Sequence, residues 1–157
     1  MTDRNKATVT IMAGGDIGPV YEPTEQFAEL IAPVLQQADL RLGQCERIYS
    51  ERGWEPQFNL GPRGQHTRLP AHMAGVFKAA DIDIVSLASN HAMDWGPEPV
   101  MDTIELFRSM GKHVIGAGMN AEAARKPAIV ERNGVRIAFL AYCSVLRDGQ
   151  AAGEQLC

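Results

Sequence analysis

Asp16, Glu46, Asn90 and His91 are the residues of this chain whose types and placement could do chemistry, with Asp94 one short turn beyond them. Two carboxylates, an amide oxygen and an imidazole form a mixed oxygen and nitrogen donor set. Mn²⁺ and Mg²⁺ favour oxygen donors, Zn²⁺ and Fe²⁺ accept imidazole as well, and a cation so held can turn bound water into a nucleophile. Each residue also has a plainer use: Asp16 and Asn90 suit turns, Glu46 a solvated strand end, and His91 a bond to backbone. Their common position favours the chemical reading. Each follows an apolar, strand-like run, and in open α/β sheets ligands gather beyond the carboxyl ends of the strands.

The elements that must position them can be read from the same stretches. Thr8–Ala13 is β-branched and apolar and predicts a buried strand that stops at Gly14-Gly15-Asp16. Asp39–Gly43 predicts a second strand, delivering Gln44-Cys45-Glu46, and Ile82–Ala88 a third, ending at Ser89-Asn90-His91. Between the first two, Phe27, Leu30, Ile31, Val34, Leu35 and Ala38 recur at helical spacing, with a break at Pro33. Residues 47–70 are rich in Gly, Pro and polar residues and predict a long loop, followed by a short helix over Ala71–Ala80.

After the third strand, Pro97 and Pro99 with Glu98 and Asp102 suit a helix first turn. Val100, Ile104, Phe107 and Met110 supply its apolar stripe and Gly111 its end. Another strand follows at Lys112–Ile115. Ala128–Arg132 and Val135–Ala141 flank Asn133-Gly134, a pair that tolerates positive φ at both turn positions and so predicts an antiparallel hairpin. The alternation of strands and helices before it argues for an α/β class: a layered structure with a largely parallel sheet, right-handed crossovers and a C-terminal antiparallel hairpin. At 157 residues and 45% apolar, one domain over 1–157 is expected.

Composition excludes several classes. The net charge of −4, from 15 basic and 19 acidic residues spread without blocks, leaves no basic stripe for nucleic acid. The first residues run into a strand without an apolar leader, and no run of about 20 apolar residues could span a bilayer, so a cytoplasmic location is expected. Cys45, Cys143 and Cys157 are odd in number and far apart, as reduced thiols would be. Cys45, Cys143 and His91 could in principle hold zinc, but no close Cys pair is present and neutral thiols are the better reading. Gly116-Ala117-Gly118 follows a strand with the spacing of a dinucleotide turn. The helix after it must stop at Pro127, and no acidic residue closes a second strand about 20 positions on, which argues against that use. His66, His72 and His113 are expected to be surface imidazoles.

Three stretches together look familiar: Gly15-Asp16, Ala38-Asp39-Leu40 leading to Glu46, and the run from Asp83 through Asn90-His91-Ala92-Met93-Asp94-Trp95-Gly96. With Gly116-Ala117-Gly118-Met119-Asn120, Ala124–Pro127 and the hairpin ending at Tyr142, the pattern from Val9 to Tyr142 resembles the CapA-like family of bacterial poly-γ-glutamate capsule synthesis proteins. That resemblance implies a fold similar to calcineurin-like metallophosphatases and a metal-dependent hydrolase acting on a small-molecule or polymer substrate. It implies Asp16 and Asn90 as metal ligands, Glu46 as a site acid, His91 as a group that protonates a leaving group, and Asp94 as the carboxylate that orients His91.

The chain departs from the family pattern in three places. Gln44 stands where the family more often has asparagine. The resemblance leads one to expect an export signal or anchor, which residues 1–157 do not display, and further strands and histidine motifs past the hairpin. A truncated member would expose a sheet edge through which it could self-associate. The alternative function is therefore a non-catalytic accessory acting through protein partners.

Overall fold

The computed structural model describes residues 7–54 and 67–145. Among them lie β1 (Ile11–Ile17), β2 (Leu40–Cys45), β3 (Ile48–Tyr49), β4 (Arg68–Leu69), β5 (Ile84–Ser86), β6 (His113–Ile115), β7 (Ala128–Arg132) and β8 (Val135–Phe139). The helices are α1 (Ala32–Leu35), α2 (Gly75–Ala79), α3 (Pro97–Ser109) and α4 (Ala121–Ala124), with 3-10 turns at Thr24–Ala28 and Ala71–Ala74. The fold is mixed α/β, as the alternation of periods requires.

The main sheet has the order β1-β2-β5-β6 with every pairing parallel. Parallel neighbours need crossovers, so the central strands β2 and β5 are covered on both faces, while the edge strand β1 is largely exposed. One face, through Leu40, Leu42, Ile84 and Ile115, packs on Val130 and Phe139 of the antiparallel β7-β8 hairpin. The other, through Cys45, Ile82, Val85 and Leu87, meets Phe77 of α2 and Val100, Ile104 and Phe107 of α3. Helix α3 begins on Pro97 after Gly96 at φ 92°, which only glycine adopts at ease. The hairpin turns on Asn133 and Gly134 at φ 52° and 74°, both left-handed as that pair predicts.

The expectations for three segments are corrected. The first strand does not stop at Gly14-Gly15-Asp16. It runs on to Ile17, and a register shift between Ala13 and Asp16 absorbs the extra residue as a bulge, which two glycines permit. The run from Phe27 to Ala38 is not one kinked helix but a 3-10 turn and a single α turn. Its apolar positions stay largely in the open, Leu30 being 93% exposed. The segment 47–70 is not a loop throughout: β3 and β4 pair in parallel at its two ends, and residues 55–66 of that expectation lie outside the described residues.

The chain after β3 is tied to α3 by charge. Ser50 Oγ donates to Asp102 Oδ2 at 2.5 Å, and the Arg52 guanidinium pairs with the same carboxylate. The hydrogen bond from Arg52 and that from Ser50 hold the Asp102 carboxyl below its usual range. A depressed folded-state pKa means the contribution is present at neutral pH and lost as pH falls through that lowered value. Asp102→Asn is therefore expected to lower the urea midpoint at about pH 7, and the gap to wild type to narrow only below the ordinary carboxylate value of about 3.9, as pH falls through the lowered folded-state value. A gap that persists unchanged in acid would show that the carboxylate's charge is not what ties the segment down.

Candidate functional site

The carboxyl ends of β1, β2 and β5 lie side by side, and the register decides which side chains share a face. Asp16 is paired with Gln44, and Gln44 with Ser86, so these three stand in a row on the hairpin side of the sheet. Ser86 Oγ donates to Gln44 Oε1 at 2.6 Å, and Gln44 Nε2 reaches the Cys45 carbonyl at 3.3 Å. Both ends of the Gln44 amide are thus occupied within the fold. Just past β2, Glu46 is held by its backbone N–H to the Ile17 carbonyl at 3.1 Å, which ties the β2 exit to the β1 exit.

The turn after β5 brings the imidazole to Glu46. Ser89 Oγ donates to Glu46 Oε2 at 3.2 Å and accepts the His91 backbone N–H at 3.1 Å. His91 Nδ1 donates to Asp94 Oδ2 at 2.6 Å, and Asp94 is buried. A carboxylate only accepts, so this bond fixes the proton on Nδ1 and leaves Nε2 as the imidazole's free corner. Nε2 lies 3.8 Å from Glu46 Oε1. Two electron-pair donors facing across that gap repel unless a positive species, a proton or a cation, sits between them.

The structure therefore joins Glu46, His91 and Asp94 in one cluster, with Ser89 as the link between strand end and turn. Asp16 shares the face of Gln44 but is exposed and makes no hydrogen bond or ion pair among the described residues. Asn90 is half-buried beside His91 in the turn. Among the described residues, no group of three or more His, Cys, Asp and Glu is arranged to hold a metal ion. The donor pair that does fit is Glu46 with His91, since two ligands with ~2.1 Å bonds to one tetrahedral ion stand about 3.4 Å apart. Ser89 was not anticipated from sequence. Its signal is a serine two residues before the histidine, which reads as an ordinary turn until register sets Glu46 opposite.

The remaining candidates lie elsewhere. Cys45 is buried, burial pushes its thiol pKa strongly up, and Sγ donates to the Arg47 carbonyl at 2.9 Å, so it is a neutral core thiol. Cys143 Sγ reaches the Val145 carbonyl at 3.2 Å. His72 is exposed and paired with Glu22 at 2.9 Å, and His113 is exposed at the start of β6. His66 and Cys157 lie outside the described residues. After Gly116, α4 is a single turn capped by Asn120, whose side chain accepts the Ala123 N–H at 2.9 Å. No helix among the described residues is long and apolar enough to cross a membrane.

The family model of the bacterial capsule synthesis protein PGA_cap matches residues 2–156. The chain is 26% identical over 145 residues to the PGA biosynthesis protein CapA of Bacillus subtilis (strain 168), covering 90% of this chain and 37% of that protein. It is 24% identical over 159 residues to the capsule biosynthesis protein CapA of Bacillus anthracis, covering 98% of this chain and 38% of the relative. A Sinorhizobium fredii protein, the uncharacterized y4sH, is 29% identical over 135 residues, 82% of this chain and 29% of its own length. The chain thus spans less than two-fifths of the length of these curated relatives.

Proposed function

Because the chain belongs to the bacterial capsule synthesis protein PGA_cap family, we propose that it serves capsule polymer biosynthesis as a divalent-metal-dependent hydrolase of the metallophosphatase type. The observation that carries this reading is the gap between His91 Nε2 and Glu46 Oε1, 3.8 Å wide, with Nδ1 pinned on the buried Asp94. Glu46 and His91 would hold the cation, with Asp16 and Asn90 as the further donors that the exits of β1 and β5 offer. A cation bound there supplies charge stabilisation and an activated water.

The chain's own residues then divide the work. Asp94 fixes the imidazole's tautomer and direction, as carboxylates behind ligating histidines do. Ser89 holds Glu46 against the turn, so that the spacing of acid and imidazole is set before substrate arrives.

The test is a melting-temperature titration with Mn²⁺, Zn²⁺, Fe²⁺ and Mg²⁺. A ligand that binds only the folded state stabilises it by mass action, by about 2.7 kcal/mol at a hundred times its Kd. A saturable rise that is lost in Glu46→Gln and weakened in Asp16→Asn is expected; no rise with any of the four ions would sink the metal reading. A second reading, an accessory acting through protein partners, is favoured by the apolar residues Ile129, Leu140, Tyr142 and Val145, all more than half exposed on and after the hairpin. On that reading the same titration is flat.

A further inference from the structure

A second feature lies beside β1 and shares one residue, Asp16, with the metal reading. A cleft of about 640 Å³ runs between β1 and the segment of the 3-10 turn and α1, continuing onto α2. Its walls are Ile17, Phe27, Ile31, Leu35, Val76 and Ile82, and Gly14, Gly15 and Gly18 line it along the strand. A cavity of this size lies within the roughly 300–1,000 Å³ of small-molecule sites. Phe27 and Ile31 stay about half exposed where they line it.

One charged side chain is set against this apolar lining from the end of β2. Arg47 follows Glu46 in sequence, but successive residues at a strand end point to opposite sides, and Arg47 lines the cleft. A Cβ on Gly18 would come 2.7 Å from Arg47 Cγ, so glycine there makes room for the arginine stem. Arg47 Nε reaches the Gly18 carbonyl at 3.4 Å, and no carboxylate among the described residues comes within ion-pair distance of the guanidinium. A half-buried guanidinium has five N–H donors in a planar fork that matches carboxylate or phosphate oxygens in pairs. Here the fork has one long bond to a carbonyl and no anion.

We propose that this cleft binds an amphiphilic anion, its apolar chain along Phe27, Ile31 and Val76 and its phosphate or carboxylate head on Arg47. Neither part suffices alone. The walls offer apolar area that water covers at a cost of about 25 cal/mol per Å², and the guanidinium offers a charge-assisted bidentate contact. The inference does not rest on hydrolysis, since Glu46, Asn90 and His91 are not part of the cleft's lining, and Asp16 is the one residue the two readings share.

The test is isothermal titration of the full chain with octyl phosphate, octanoate, inorganic phosphate and octanol, each below its aggregation limit. Octyl phosphate or octanoate is expected to bind at least tenfold more tightly than octanol or inorganic phosphate, and the ratio between the first two identifies the preferred head group. Arg47→Gln should reduce binding of the preferred amphiphile about tenfold or more and leave octanol unchanged. A Cβ added at Gly15 meets nothing within 4 Å, so Gly15→Leu should fill the cleft and abolish binding of every chain-bearing probe without loss of melting temperature. Inorganic phosphate binding as tightly as octyl phosphate, or an Arg47→Gln protein that binds the amphiphile as wild type does, would overturn the proposal. Metal-dependent stabilisation is expected to survive Arg47→Gln, whose side chain is no donor in the metal reading, so failure here and failure of the metal reading are told apart.

Discussion

Phe107→Ala is expected to cost about 3–5 kcal/mol, a large part of the roughly 5–15 kcal/mol that holds a domain of this kind folded. Phe107 of α3 is fully buried and sits 4.7 Å from Phe77 and 5.9 Å from Tyr49, ring centre to ring centre, all three in edge-on contact. The trio joins α3, α2 and β3, so truncating it leaves a void where three elements meet and none can collapse alone. Tyr49→Phe is the matched control. The Tyr49 hydroxyl is buried with no hydrogen-bond partner among the described residues, and burial pushes its pKa far up. Removing that oxygen should leave stability unchanged or raise it by about 1–2 kcal/mol. Urea midpoints read both. A loss under about 1 kcal/mol for Phe107→Ala would mean the three rings are not the centre of the core.

That core was legible in the sequence where one period ran long enough to be unambiguous. Val100, Ile104 and Phe107 keep helical spacing over α3, and all three are buried. The hairpin was legible because Asn133-Gly134 makes its turn by local conformation alone. What misled was local chemistry overruled by the sheet. Gly14-Gly15-Asp16 has turn composition, but pairing with β2 continues past it to Ile17, and only the partner strand determines where the ladder ends. Phe27 to Ala38 has helical spacing, but Pro33 restarts the chain as the first turn of a new helix and leaves pieces too short to present one buried face.

The site divides in the same way. Glu46, His91 and Asp94 could be found because their types are uncommon at strand exits, whereas Ser86 and Ser89 carry no such mark. Gln44 illustrates the limit most clearly. On the sequence it is a departure from the family pattern at a strand exit, and Ser86 on the neighbouring strand and its own neighbour's carbonyl engage both ends of its amide. Position beyond a strand makes a residue available for chemistry, and only the cross-strand partner decides whether it stays available.

His91→Ala, which removes one of the two donors that hold the cation, should lower metal-dependent hydrolysis by at least about 10²-fold. The assay would use p-nitrophenyl phosphate and γ-glutamyl p-nitroanilide with Mn²⁺, so that phosphate and amide chemistry are both read. Melting temperature without metal should fall as well, because the buried Asp94 carboxylate loses its His91 Nδ1 donor at a cost of about 1–3 kcal/mol, so activity is compared well below the melting temperature of both proteins. Asp94→Asn separates orientation from chemistry. It keeps the volume of a buried side chain but can turn an N–H toward Nδ1, releasing the tautomer that leaves Nε2 facing Glu46. A loss of about 10–100-fold is expected, in metal affinity, turnover or both, with His91 still present. Ser89→Ala acts one step further back: it frees Glu46 Oε2 and the His91 backbone N–H together, so it should weaken metal binding while leaving the imidazole on Asp94. If His91→Ala and Asp94→Asn both kept full activity, the 3.8 Å gap at Glu46 would be a structural ion pair with a protonated imidazole, and the catalytic reading would have to be given up.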